Sequence, residues 1–138
     1  MKKNKKLFTT ILMFVLVLSI QCTVLAATSS KGTYDLDAGD GWKHTTASDS
    51  RLRDEKETTS TKVTVYTYSK TMMSCPSFRM VNYDKNARST EIVTAAAGKS
   101  ATNESNTGTK GYGYYASVKA AWNQITDDQS IRIYFDSH

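Results

Sequence analysis

The stretch Tyr112-Gly-Tyr-Tyr-Ala-Ser-Val-Lys-Ala-Ala-Trp122 decides the fold that this 138-residue sequence predicts. Every second residue in it is apolar or aromatic, which gives the set Tyr112, Tyr114, Ala116, Val118, Ala120 and Trp122. A period of two residues puts such side chains on one face of an extended strand. Gly111, Gly113 and the tyrosines disfavour a helix over the same residues. The stretch therefore predicts a β-strand with one buried face, and it places Trp122 in the core.

The same alternation returns near the end of the sequence, in Ile131-Arg-Ile-Tyr-Phe135. The apolar residues Ile131, Ile133 and Phe135 fall on one side of this stretch, and Arg132 and Tyr134 fall on the other. The polar residues 123–130 separate it from the first stretch and are typical of a turn. The two stretches together predict a C-terminal β-hairpin.

Four further stretches have the composition of strands: Gly32–Asp35, Lys62–Lys70, Phe78–Tyr83 and Thr90–Ala95. The last of them is open to an alternative, because Ala95–Ala97 also fit the end of a short helix. Residues 40–61 and 98–110 are polar and are predicted to be loops, with the charged run Arg51–Glu57 solvated as a mobile loop or a short surface helix. Short strands between polar turns predict an all-β fold, a small antiparallel β-sandwich or open barrel.

The N-terminus has the three parts of a secretory signal peptide. Four lysines within Met1–Lys6 precede an apolar run from Leu7 to Leu25, and small residues follow at Ala26 and Ala27. We therefore expect a signal peptide over residues 1–26 that is cleaved, and one secreted, extracellular domain over 27–138. Membrane contact is then expected only through the signal peptide before cleavage. The alternative is an uncleaved anchor, because the run approaches the length that spans a bilayer.

Cleavage changes both the charge and the cysteine count. The whole chain has 18 basic and 13 acidic residues, and loss of the four leader lysines leaves 14 basic residues and a net charge of +1. Bulk charge then gives no support for nucleic-acid binding. Cys22 leaves with the signal peptide, so Cys75 remains alone without an intramolecular disulfide. We expect its thiol to be buried rather than reactive.

The residues of the secreted domain do not form a recognisable catalytic motif, and we expect no enzymatic activity. The sequence has no glycine-rich phosphate loop and no spacing typical of a zinc site. One alternative stays open, a small extracellular hydrolase with Cys75 as the nucleophile and His44 as its base.

An acidic turn gives the only candidate metal site. Asp35, Asp37 and Asp40 lie within six residues beside Gly39 and Gly41, and carboxylate oxygens on a tight turn suit Ca²⁺. Their spacing departs from that of the EF-hand loop, and Asp side chains also stabilise turns by accepting backbone N–H groups. We expect no cofactor, with a calcium-stabilised exported binding module as an alternative.

Tyr66, Tyr68, Tyr115 and Tyr134 are the candidate binding residues, because the alternation places them opposite the apolar faces of their strands. Tyrosines beside Lys and Thr stack on sugars or form protein-binding patches. Cross-strand tyrosine pairs also stabilise sheets without any ligand.

The short motifs Gly32-Thr-Tyr34, Gly113-Tyr-Tyr-Ala-Ser-Val118 and Ile133-Tyr-Phe135, with a Thr/Ser-rich middle, give the chain a resemblance to a known family. It resembles the lactococcin-like secreted β-sandwich bacteriocins and related exported proteins of Gram-positive bacteria. It is longer than these bacteriocins and has fewer His and Trp residues. The resemblance implies a secreted β-sandwich that acts at a cell envelope, on cell-wall precursors. The expected function is therefore non-enzymatic binding of a cell-envelope component or a protein partner, in a bacteriocin-like manner.

Overall fold

The computed structural model describes residues 28–29, 31–44 and 53–138, which form β-strands and no helix. The strands are β1 (Gly32–Leu36), β2 (Lys43–His44), β3 (Arg53–Glu55), β4 (Val63–Lys70), β5 (Ser77–Val81), β6 (Ile92–Val93), β7 (Lys99–Asn103), β8 (Gly113–Lys119) and β9 (Gln129–Asp136). They form two antiparallel sheets that do not close into a barrel. The predicted all-β sandwich is confirmed.

The predicted signal peptide, residues 1–26, lies outside the described residues. In the part of the chain that the structure covers, no segment forms an apolar helix of the length needed to cross a bilayer.

Sheet A contains the strands in the order β1-β9-β4-β7, and sheet B contains them in the order β2-β8-β5-β6. The short strand β3 also pairs with β8, with Asp54 opposite Tyr114, while β2 pairs further along with His44 opposite Ser117. Two short strands from the predicted loop over residues 40–61 therefore pair with β8, and residues 45–52 between them lie outside the described part.

The core lies between the sheets and is built from the alternate residues of the long strands. Val63 and Val65 of β4 point inward while Tyr66 and Tyr68 do not, as the sequence predicts. The buried residues of the core are Tyr34, Leu36, Val63, Val65, Met72, Phe78, Met80, Ile92, Tyr114, Ala116, Val118, Ala120, Ile131, Ile133 and Phe135.

The alternation in the deciding stretch is right for its middle and wrong at its two ends. Tyr114, Ala116 and Val118 of β8 are buried, but Tyr112 is exposed and Trp122 is 96% exposed. The strand ends at Lys119, and the chain turns where the Gln124 N–H donates to the Ala121 carbonyl at 3.0 Å. This turn directs Trp122 into solvent, so its predicted place in the core is wrong.

The predicted C-terminal hairpin is also wrong, although both of its strands exist. Strand β8 belongs to sheet B, whereas β9 lies in sheet A between β1 and β4. Residues 120–128 therefore cross from one sheet to the other. Two strands that face the same core from opposite sides have the same alternation as a hairpin, because alternation identifies the buried face and not the partner strand.

Two polar segments predicted as solvated loops contribute to the fold. Within residues 98–110, strand β7 pairs with β4 as an edge of sheet A. Within the charged run Arg51–Glu57, Asp54 and Lys56 are 3% and 1% exposed. Both side chains have hydrogen-bond partners near the last residues of the chain, which explains how charged groups are buried here.

Candidate functional site

Three of the four candidate tyrosines lie together on the outer face of sheet A, which we call the tyrosine face (Tyr66, Tyr68 and Tyr134). Tyr66 of β4 is the register partner of Tyr134 in β9, because these two strands are neighbours in the sheet. Their rings stack with centroids 4.6 Å apart and planes 3° from parallel. Burial, together with Asp136 and Tyr134, raises the pKa of the Tyr66 phenol, so its hydroxyl stays protonated at neutral pH.

The third tyrosine of this face lies close to two cations. Lys31 places its Nζ 3.8 Å from the ring centroid of Tyr68, and the guanidinium of Arg132 lies 5.3 Å from the same centroid. The register of β4 and β9 shifts between Thr67 and Ser69, beside this ring. Tyr68 is half exposed. Because the Tyr68 ring attracts both Lys31 and Arg132, positive charge is concentrated around it on a surface that is otherwise polar.

An open cavity of about 400 Å³ adjoins the tyrosine face. Its lining combines phenols, small polar groups and one further cation: Tyr66, Thr67, Tyr68, Gly98, Lys99, Ser100 and Tyr134. Ser100 is the register partner of Tyr66 on β7, so both residues lie on the outer face. The surface therefore offers hydroxyl donors beside the positive charges of Lys31, Lys99 and Arg132.

Tyr115 is separated from the other three tyrosines. It lies on β8 in sheet B, where its register partners are Arg53 and Val81. Sheet B packs on the other side of the core, so Tyr115 cannot share a ligand surface with the stacked pair. The sequence placed all four on outward positions, but it could not assign their strands to sheets.

The three acidic residues of the candidate calcium site are not gathered around one point. The Asp40 carboxylate accepts the Asp37 N–H at 2.7 Å and pairs with Lys43 at 2.7 Å, which lowers its pKa. Asp37 accepts the Asp128 N–H at 2.9 Å, and Asp35 lies on β1. Among the described residues, no three His, Cys, Asp or Glu side chains are grouped as metal ligands. Calcium binding at these residues stays a prediction. The carboxylates of Asp37 and Asp40 already accept hydrogen bonds from backbone N–H groups.

The two residues of the candidate hydrolase lie on different sides of strand β8. Cys75 precedes β5 and is half-buried, with its Sγ 3.3 Å from the Nζ of Lys70. His44 lies on β2 at the opposite edge of β8. No hydrogen bond joins the two side chains, so the structure does not form a thiol–imidazole pair from them.

A row of polar residues on the outer face of sheet B was not found from the sequence. His44, Ser117 and Arg79 are register neighbours across β2, β8 and β5. The His44 Nδ1, the Ser117 Oγ and the Arg79 Nε are buried without a hydrogen-bond partner in the described part of the chain. Ser117 is fully buried, which excludes its hydroxyl as an accessible nucleophile.

Trp42 belongs to the same face. The Arg79 guanidinium and the Lys119 ammonium lie 4.1 and 4.9 Å from its ring centroid. Lys119 also pairs with Glu91 at 2.7 Å. The Ser117 and Arg79 positions follow from alternation along their strands, but Trp42 lies in a polar segment without a repeating pattern, and no sequence signal points to it.

Comparison of the chain with protein-family models, with curated proteins and with solved structures finds no match.

Proposed function

We propose that the protein is a secreted, non-enzymatic β-sandwich that binds an anionic glycan of a bacterial cell envelope through the tyrosine face. The observation that carries the proposal is the cation–tyrosine cluster, in which Lys31 and Arg132 flank the ring of Tyr68 beside the stacked pair. The signal peptide predicted from the sequence supports placement outside the cell.

The chemistry of the face suits a polymer that carries both hydroxyl and acidic groups. Phenol and serine hydroxyls donate and accept hydrogen bonds with sugar hydroxyls. Lys31, Lys99 and Arg132 attract phosphate or carboxylate groups, and a guanidinium recognises such groups with two parallel hydrogen bonds. The nearby carboxylate of Asp136 is buried and accepts the His138 N–H at 2.7 Å. The accessible charge on this face is therefore mainly positive.

A wall-binding assay tests this proposal. The full gene is expressed, and the protein recovered from the culture medium is incubated with Gram-positive cell walls before and after extraction of their phosphate-rich polymers. We expect binding to the intact walls that weakens after extraction and at high salt, because exposed charges are screened.

Variants locate the binding surface. Tyr68→Ala combined with Arg132→Gln should lower wall affinity about tenfold, since it removes a ring contact and a charge-assisted bond. Tyr83→Ala is the matched control, because Tyr83 is an exposed tyrosine beyond the end of β5 in sheet B. Equal wall affinity of the two variants and the wild type would refute a role for the tyrosine face.

Bacteriocin-like action is the more specific form of the proposal. If envelope binding arrests growth, the secreted protein should inhibit related Gram-positive cells, and the Tyr68/Arg132 double variant should inhibit them less. Wall binding without any effect on growth would leave a binding module and remove the bacteriocin-like activity.

A further inference from the structure

The end of the sandwich where β4 and β8 finish carries three large apolar side chains in solvent. Met73, Trp122 and Ile125 are 99%, 96% and 90% exposed. We call these three residues the apolar tips. Met73 lies in the loop from β4 to β5, and the other two lie in the loop from β8 to β9. Scattered apolar residues are common on protein surfaces, but three at one end of a small domain indicate an interaction site.

Two cavities connect the apolar tips into one surface. A cavity of about 510 Å³ lies between the loops and is lined by Met73 and Ile125, among others. A second cavity of about 300 Å³ is lined by Trp122 and Cys75. Asn123 lines both cavities, so the surface continues from one loop to the other.

The loop that carries Met73 is held by hydrogen bonds. The Lys70 ammonium donates to the Met73 carbonyl at 3.1 Å and to the Ser74 carbonyl at 2.8 Å. The Thr71 N–H donates to the Ser130 carbonyl of β9 at 2.9 Å. These bonds fix the backbone on both sides of Met72, whose side chain is buried, and Met73 then points away from the core.

The loop that carries Trp122 and Ile125 is held in a similar way by one buried amide. The Gln124 side chain donates to the Leu36 carbonyl at 2.8 Å and to the Thr126 carbonyl at 3.0 Å. Gln124 is buried, whereas the residues on both sides of it are exposed. Since the folded loops hold the apolar tips in water, a partner that covers these side chains gains their burial energy with little ordering cost.

We propose that this partner is a lipid bilayer, into whose headgroup and upper acyl region the apolar tips insert. The inference goes beyond the proposed function, because it uses the loops at one end of the sandwich and a different ligand chemistry. It also extends the sequence-based expectation, which limited membrane contact to the signal peptide.

The charge pattern of the two loops supports a bilayer. Residues 71–78 and 120–126 contain no charged side chain, so the three apolar tips enter an apolar phase without desolvating an ion of their own loops. Charges of both signs begin at the bases of the loops, with Lys70 and Lys119 on one side and Asp127 on the other. A headgroup layer of phosphate and amine groups complements this mixture.

The shape of the surface favours lipid over a protein groove. Each apolar tip is exposed almost completely and therefore packs against few atoms of its own domain. A protein partner would need a separate preformed pocket for each tip, whereas acyl chains adapt to all three. Tryptophan, like tyrosine, is also enriched at the boundary between headgroups and acyl chains.

Trp122 makes the proposal directly measurable. The chain has two tryptophans, and Trp42→Phe leaves Trp122 as the only one. The protein is recovered from culture medium after expression of the full gene, and mass spectrometry identifies its N-terminus. Phosphatidylcholine vesicles should shift the Trp122 emission to shorter wavelength and should carry the protein into the vesicle pellet. Binding should persist at high salt, since it depends on apolar burial.

Substitution of the apolar tips tests their role. Trp122→Ser should lower the vesicle partition coefficient about tenfold, and the triple change with Met73→Ser and Ile125→Ser should lower it about a hundredfold or more. Tyr112→Ser is the control, because Tyr112 is exposed at the opposite end of β8 and should leave the coefficient unchanged. Circular dichroism should show that all of these variants keep the fold.

Three results would overturn the proposal. The first is wild-type protein that stays in the supernatant with unshifted Trp122 emission. The second is a triple variant that pellets like the wild type, which would assign binding to another surface. The third is concentration-dependent dimerisation, detected by sedimentation velocity, that is lost in the triple variant and leaves vesicles unbound, because a second copy would then be the partner. The proposed function would be refuted if the wild-type protein failed to bind cell walls, and that outcome would not change these vesicle results, because wall binding is assigned to Tyr68 and Arg132.

Discussion

The phenol of Tyr34 in sheet A donates a hydrogen bond to the main-chain carbonyl of Ala116 in sheet B, with 2.9 Å between the two oxygens. Both residues are buried, so this bond passes through the apolar core between the two sheets. It ties β1, at the edge of sheet A, to the central strand β8.

Tyr34→Phe should therefore lower the free energy of unfolding by about 1 kcal/mol, because the ring stays in place and only the hydrogen bond is removed. Urea unfolding followed by circular dichroism measures the change. Tyr68→Phe is the control with an exposed ring and should change stability by less than about 0.5 kcal/mol. Equal stability of the two variants would mean that the bond between the sheets contributes nothing.

Trp122→Ala should change the free energy of unfolding by less than about 0.5 kcal/mol, since its side chain has almost no contacts to lose. The alternation in the sequence predicts the opposite, a loss of about 3–5 kcal/mol. Phe135→Ala provides the comparison, because Phe135 is fully buried with its ring centroid 5.5 Å from that of Phe78. Its substitution should cost about 3–5 kcal/mol in the same urea titration. A large loss for Trp122→Ala would contradict the exposed position.

The last residues of the chain are fixed by two charged side chains from the segment around β3. The Lys56 ammonium donates to the main-chain carbonyls of Ser60, Ser137 and His138, the latter two at 3.0 Å each. The Asp54 carboxylate accepts both the N–H and the hydroxyl of Ser137 at 2.6 Å. Burial lowers the pKa of Lys56 and raises that of Asp54, so each charged form depends on these hydrogen bonds.

Lys56→Met should destabilise the fold by about 2–3 kcal/mol, because the stem is replaced by a similar apolar volume while three carbonyls lose a charged donor. Thermal unfolding compares this variant with Lys62→Met, in which an exposed lysine is replaced. If Lys56→Met were as stable as Lys62→Met, the hydrogen bonds of Lys56 would have no net effect on stability.

The sequence predicts the buried face of each long strand because a strand alternates strictly between two environments. Val63, Val65 and Phe135 were placed inward correctly for this reason. Alternation contains no information on which strand lies alongside, so β8 and β9 were paired wrongly. It also does not mark where a strand ends, and Trp122, which lies in the turn that follows β8, was therefore assigned to the core.

Short or polar strands have no pattern of their own. Strand β7 has a single inward apolar residue, Ala101, and its position depends on pairing with β4. The burial of Asp54 and Lys56 likewise depends on partners more than 80 residues away in the sequence. The candidate site follows the same rule. Outward tyrosines were predictable, but the cations around Tyr68 and the separation of Tyr115 required the sheet order.

His44 links the polar row of sheet B to the pH dependence of stability. Burial lowers its pKa from the ordinary value of 6.5, and the positive charges of Arg79 and Lys85 lower it further. The unfolded chain therefore binds a proton at a higher pH than the folded protein does. By linkage, the fold loses stability as the pH falls below about 6.5 towards the lower pKa of the folded state.

His44→Gln should remove this part of the pH dependence, because glutamine does not titrate. Urea unfolding at intervals between pH 7.5 and pH 5 should show a decline for the wild type that is smaller in the variant. Glu91→Gln is the control for a group that titrates at lower pH than His44. Hydrogen bonds from Lys119 and Ser77 lower the pKa of Glu91 below 4.5. Its carboxylate stabilises the fold above that value and loses the effect only at lower pH, so Glu91→Gln should keep the decline between pH 7.5 and 5. A wild-type profile that is flat over this interval, or a decline that His44→Gln leaves unchanged, would show that His44 is not the group that titrates.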